Sequence, residues 1–198
     1  MTKTWPLAVL ALLLWTAAPA GAERVITGFA GAAPNGRSGI LDLAQGVGAR
    51  KSVWGVSVGR VGNVFGWELD ASASPGFFSN DAGLQLVTGS QASIFMVNSV
   101  LTAPRQWTGS TIRPYGVLGA GVMKARVDDV YGLFPTETVL AGFNAGGGVL
   151  VFPWPKIGIR ADARYFRSRR QDDVEATLGF GPAYLDLWRV VGGAVLRF

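Results

Sequence analysis

The residues best placed to do chemistry are seven charged side chains: Glu68, Asp70, Arg160, Asp162, Arg164, Arg189 and Arg197. Within each stretch they stand an even number of residues apart, so in an extended chain they share one face. Two carboxylates on one face could form a general acid–base pair, and carboxylates facing guanidiniums form charge-assisted forks. The sequence has no His and no Cys. That removes the commonest general base, the commonest transition-metal ligand, every thiolate metal site and any cysteine nucleophile. Nothing near Glu68 and Asp70 marks a cleft or a substrate, so no enzyme, no metal site and no cofactor is expected. Two readings remain: carboxylate–guanidinium pairs that plug an interior, because buried charge must be paired, or the selectivity lining of a pore.

The elements that carry these residues read as strands. From Phe65 to Ser74, Phe65, Trp67, Leu69, Ala71 and Ala73 alternate with Gly66, Glu68, Asp70, Ser72 and Ser74. From Ile157 to Tyr165, Ile157, Ile159, Ala161 and Ala163 alternate with Gly158, Arg160, Asp162 and Arg164. From Leu187 to Phe198, Trp188, Val190, Gly192, Ala194, Leu196 and Phe198 form an apolar face, and Arg189 and Arg197 lie on the other. Further strands are expected over Arg24–Ala33, Ser52–Val61, Ala92–Leu101, Ile112–Met123 and Val139–Phe152. Asn98 reads as inward, and the facing of the Gly-rich 112–123 strand is ambiguous. Gly62-Asn63 reads as a tight two-residue turn, and Pro153-Trp154-Pro155 as a turn no central strand could hold. About eight strands result, with long connections after the first, third, fifth and seventh and short links after the others.

The remaining charges point nowhere sharply. Asp128, Asp129, Asp172, Asp173 and Glu175 could offer oxygen ligands to calcium, but no spacing matches an EF-hand loop, so they read as solvated loop charge. Arg167, Arg169 and Arg170 match phosphate geometry at the end of a strand, where lipopolysaccharide could be met. The formal charge of +5 does not indicate nucleic acid, because the basic residues are scattered rather than gathered on one face.

Lys3, the apolar run from Trp5 to Trp15, and the small residues Ala20 and Ala22 describe a secretory signal over residues 1–22, cleaved after Ala22. Losing Lys3 leaves 17 of the 18 basic residues against 13 acidic ones in a domain spanning 23–198. Hydrophobic residues make up 49% of the chain, yet no apolar run after residue 22 reaches helix-spanning length. An exported, apolar chain whose apolar residues are dispersed as alternation is expected to be an all-β, antiparallel transmembrane barrel. Trp54, Phe65, Trp154, Trp188 and Phe198 fall near strand ends, where membrane-interface aromatics sit. A soluble lipocalin-like barrel is the alternative; it would have an apolar interior and a polar exterior.

Four segments carry a family resemblance: Gly66-Trp67-Glu68-Leu69-Asp70 with Ser74-Pro75-Gly76-Phe77-Phe78; Arg113-Pro114-Tyr115 through Gly119-Ala120-Gly121; Gly146-Gly147-Gly148 with Gly158 to Phe166; and Trp188 to Phe198. Together they resemble the "porin family" of small outer-membrane barrels, of OmpA/OmpX type. The resemblance implies the bacterial outer membrane, with lipid and lipopolysaccharide around the barrel and four long loops outside. The terminal aromatic strand resembles the signal read by the barrel assembly machinery. Small barrel enzymes rely on an active-site histidine, which this chain lacks. The implied role is structural or surface-interacting, with a small pore for ions or solutes as the alternative. The oligomeric state is not indicated.

Overall fold

The computed structural model describes residues 22–34, 37–38, 51–75, 87–129, 136–169 and 185–198. Eight long strands run in chain order: β1 Glu23–Ala33, β2 Lys51–Val61, β3 Phe65–Pro75, β4 Val87–Thr102, β5 Ile112–Asp129, β6 Thr136–Val151, β7 Ile157–Ser168 and β8 Leu185–Arg197. Each pairs antiparallel with the next, and β1 pairs with β8, which closes the barrel. A two-residue piece, Arg37–Ser38, extends the pairing along β8. Closure satisfies every ladder without leaving an edge, the condition for strands to cross hydrocarbon.

Alternation then sorts the residues. Val56, Leu69, Phe95, Leu118, Ile159 and Val190 point outward and are all at least 40% exposed. Glu68, Asp70, Asn98, Asn144, Arg160, Asp162, Arg164 and Arg189 point inward and are buried. This inverts the pattern of a soluble barrel and overturns the lipocalin-like alternative. The chain is a transmembrane barrel whose outer surface has lipid as its solvent. Among the described residues no helix is long and apolar enough to cross a membrane; the crossing is made by strands.

Both ends of the described barrel and its three short links lie at one end, called the base. Three expectations change here. Gly62-Asn63 is not a two-residue turn: residues 62–64 connect β2 and β3, closed by the Gly62 N–H donating to the Phe65 carbonyl at 3.1 Å. The Gly62 and Asn63 carbonyls are turned inward to accept from Arg113 Nη2 at 2.7 and 3.3 Å, and Gly62 does not adopt a positive φ. The only positive-φ glycine among the described residues is Gly109, which closes a single helical turn, Arg105–Thr108, in the β4–β5 link. At the other end β4, β5 and β6 run further than their apolar stretches. Pairs from Lys124↔Val139 to Val127↔Thr136 keep the ladder past the apolar belt, because polar residues outside the membrane still gain its hydrogen bonds. Asp128 and Asp129 therefore belong to β5, not to a loop. Asp172, Asp173 and Glu175 lie outside the described residues.

The outward face yields a depth-dependent prediction. Leu69→Arg, in the middle of β3, should destabilise the barrel by about 2–4 kcal/mol in urea titrations in phospholipid vesicles, and Trp154→Arg at the base by about 0–1 kcal/mol. Equal losses at the two sites would mean that the exterior does not face hydrocarbon.

Candidate functional site

Three inward layers fill the barrel. Toward the long-connection end lies an apolar cluster that includes Ala33, Val53, Ile94, Met123, Leu140, Phe166 and Leu187. Toward the base lies a second, including Val25, Val61, Val100, Val117, Leu150 and Phe152. Between them is a charged layer.

β3 and β7 stand opposite each other in the ring of eight strands, so their inward side chains meet across the lumen. Arg160 Nη1 lies 2.5 Å from Glu68 Oε2, and Arg164 Nη2 lies 2.8 Å from Glu68 Oε1. One β3 carboxylate thus takes a guanidinium on each oxygen. Along β7 itself, Asp162 accepts from Arg164 Nε at 2.8 Å and from Arg160 Nη2 at 3.0 Å. From β8, Arg189 forks onto Asp70 at 2.8 and 2.7 Å and also donates to Ser72 Oγ at 2.9 Å. Its guanidinium is sandwiched between the rings of Phe29 and Phe166, each 4.8 Å away. Arg164 reaches Asp70 at 3.5 Å, which joins the two groups into one network.

Neutral groups complete it. Arg160 Nε donates to the Tyr115 hydroxyl at 2.6 Å, and that hydroxyl donates to Asp162 Oδ2 at 2.5 Å. Asn144 donates to Asn98 at 2.9 Å and Asn98 to Glu68 at 3.2 Å. Ser57 accepts from Arg160 at 3.2 Å. Three guanidiniums therefore face three carboxylates, so the layer is neutral, as burial away from water demands. A few polar atoms, Thr27 Oγ1, Arg189 Nε and Arg164 Nη1 among them, have no hydrogen-bond partner. Two cavities of about 10 Å³ flank the layer, one beside Ser72, Ser74 and Arg189, the other beside Thr27, Glu68 and Tyr115. Each has room for about one water. The arrangement can hold charge rigidly, but no carboxylate in it is both unpaired and open to a substrate.

Six of the seven charged residues singled out in the sequence meet in this layer; Arg197 does not. It shares the inward face but lies at the base, where it donates to the Pro155 carbonyl at 2.8 Å, approaches Glu23 at 3.4 Å and stacks over Phe152. Alternation gives a residue's face but not its height along the barrel. Tyr115 and Arg113 were missed because the strand facing of 112–123 was left open. The signal was present: Arg113 and Tyr115 share one parity, opposite to the apolar Ile112, Leu118 and Val122. Of the aromatics, Trp54 and Trp188 lie outward toward the long-connection end, with Trp188 packed on Tyr165 at 5.4 Å. Phe65, Trp154 and Phe198 are exposed at the base. Arg167 and Arg169 are exposed at the far end of β7; Arg170 lies outside the described residues. Among the described residues no group of acids could hold a metal ion.

Removing one partner leaves charge buried and uncompensated. Glu68→Ala should cost about 3–5 kcal/mol in vesicle unfolding, whereas the charge-balanced Glu68→Leu/Arg164→Met pair should lose less. A double variant weaker than the single one would show that the ion pairs are not the unit of stability.

No family model matches the sequence, and no curated protein is recognisably similar to it. Solved structures are. Neisserial surface protein A shares 17% identity at a TM-score of 0.63, over 90% of this chain and 99% of that one. The attachment invasion locus protein Ail of Yersinia pestis, solved in complex with the heparin analogue sucrose octasulfate, shares 18% at 0.51, over 90% and 99%. The N-terminal β-barrel domain of Pseudomonas aeruginosa OprF shares 10% at 0.50, over 90% and 98%. The fold of this chain is that of the small eight-stranded outer-membrane barrels.

Proposed function

We propose that this protein is an exported barrel of the bacterial outer membrane whose lumen is closed and whose work is done at its surface. In this reading residues 1–22 are a signal removed after Ala22, and the barrel assembly machinery places the chain through strand β8. Trp54 and Trp188 mark one membrane interface, and Phe65, Trp154 and Phe198 mark the other. The end of the barrel from which Arg167 and Arg169 project then faces outside, where they can meet lipopolysaccharide phosphates. The role is structural or interaction-based rather than enzymatic.

The observation that carries this reading is the charged layer. A conducting path needs either free charge or water along the axis. Here each carboxylate of the layer is held by at least one guanidinium, and the flanking cavities have room for about one water each. Side chains fill the interior of a barrel this size. The proteins of the same fold include one crystallised with a heparin analogue, which makes sulfated or phosphorylated glycans the first class to try against the outer connections.

Single-channel recording in planar bilayers tests closure directly. The wild type should be silent, and Glu68→Ala/Asp162→Ala, which leaves three arginines against Asp70, should open anion-selective steps. Reproducible wild-type steps whose size or selectivity changes in the variant would replace the plug with a small pore.

A further inference from the structure

The base of the barrel carries an unexpected row of residues. Across β8, β1, β2 and β3, in hydrogen-bonded register and all facing outward, stand Phe198, Arg24, Arg60 and Trp67. Arg24 and Arg60 are direct cross-strand partners. Like charges so placed, about 5 Å apart, destabilise a sheet unless something neutralises them. Among the described residues neither has a carboxylate within ion-pair distance. Glu23, the one acidic residue described at the base, turns to the other face of the sheet. There it serves Arg105 at 2.8 Å, Arg197 at 3.4 Å and Arg113 at 3.8 Å. Counting Lys156, six basic side chains described at this end stand against one acidic side chain.

Immediately above the arginines the exterior becomes apolar. The next outward row is Ile26, Val58, Leu69 and Val97, and the row above it is Val56, Ala71, Phe95 and Val122. In that second row Ala71 is small while Val56 and Phe95 on either side are not. The wall is therefore hollowed there into a groove of about 420 Å³, lined by both rows from β2 to β5. A paired cation at the rim of the apolar belt, with a groove starting one residue above it, has the dimensions and chemistry of an amphiphile with an anionic head.

We propose that this face binds one anionic phospholipid, its phosphodiester bridging Arg24 and Arg60 and an acyl chain lying in the groove over Ala71. Guanidinium forks match the two free oxygens of a phosphodiester. Trp67 and Phe198 bracket the headgroup at the depth where aromatic rings settle. The inference rests on the membrane-spanning reading of the barrel, which places the row at headgroup level, but not on whether the lumen conducts.

Native mass spectrometry of the refolded mature barrel tests it, with release from detergent micelles holding equal phosphatidylglycerol and phosphatidylcholine. The wild type should retain one phosphatidylglycerol in preference to phosphatidylcholine. Each charge removed at the pair should weaken that preference by about fivefold, so Arg24→Gln/Arg60→Gln should abolish it. Ala71→Trp, which fills the groove from its floor, should lower retention of both lipids and leave the preference between them. Lys156→Gln, at the base but outside the row, should change little. Arg24, Arg60 and Ala71 point outward and Lys156 is exposed in the link before β7, and heat-dependent mobility on gels verifies that each variant has folded. Equal retention of the two lipids by the wild type, or an equal loss in Lys156→Gln, would overturn the site. So would a dimer without lipid, which would assign the groove to a second copy. Silent or conducting bilayer recordings leave this result untouched, so the two readings fail separately.

Discussion

Everything in the barrel turns on ion pairs that cross its lumen. Glu68 on β3 is held by Arg160 and Arg164 from β7, the strand diametrically opposite. Such a contact exists only because eight strands enclose a space narrow enough for an arginine to span. It also fixes register. Strand side chains alternate with period two, so a slip of one residue in β3 would send Glu68 and Asp70 into lipid and bring Trp67 and Leu69 inside. The network and the wall therefore specify each other. Strand pairing alone tolerates many registers; the charges tolerate one.

The two apolar layers above and below matter for the same reason. By keeping water from the ends of the network they strengthen each charge interaction and make an unpaired charge expensive. Glycines make the room. A Cβ at Gly148 would run into the Tyr115 ring and hydroxyl, and one at Gly146 into the backbone and side chain of Arg164. The inward side of β6 is thus thin where the charged layer is thick, and Asn144 is the single polar side chain it contributes between them. The glycine content that gives the sequence its weak strand propensity is also the volume in which the arginines sit.

Much of this was legible from the residues. The strict alternation around Glu68 and Asp70, and around Arg160, Asp162 and Arg164, gave their facing, and the need to pair buried charge gave the network. Arg197 shows where the reading stops. Parity put it on the correct face, but its height depends on stagger between strands, which one sequence does not carry. The Gly-rich run from Ile112 to Met123 hid Tyr115 because its period is blurred by residues without side chains. Lys124 to Val127 looked like loop because propensity scales reward burial, and these residues pair beyond the buried belt. The link at 62–64 was mistaken for a tight turn because its geometry is set by a distant partner, Arg113, whose guanidinium gathers the carbonyls of Gly62 and Asn63.

The arginines at mid-depth and at the base meet three different fates, and depth and parity decide among them. At mid-depth and inward, Arg160, Arg164 and Arg189 are matched one for one by acids and contribute rigidity. At the base, Arg105, Arg113 and Arg197 share Glu23, and Arg113 Nη2 donates to the Gly62 and Asn63 carbonyls and to Thr102 Oγ1, tying the links together. At the base and outward, Arg24 and Arg60 stand side by side with no acid among the described residues near them. The first arrangement is complete within the protein, and the second nearly so. The third would be completed by the phospholipid proposed above, just as hydrocarbon supplies the partner for Leu69 and Val97. The charge of this barrel is thus sorted by depth and by face.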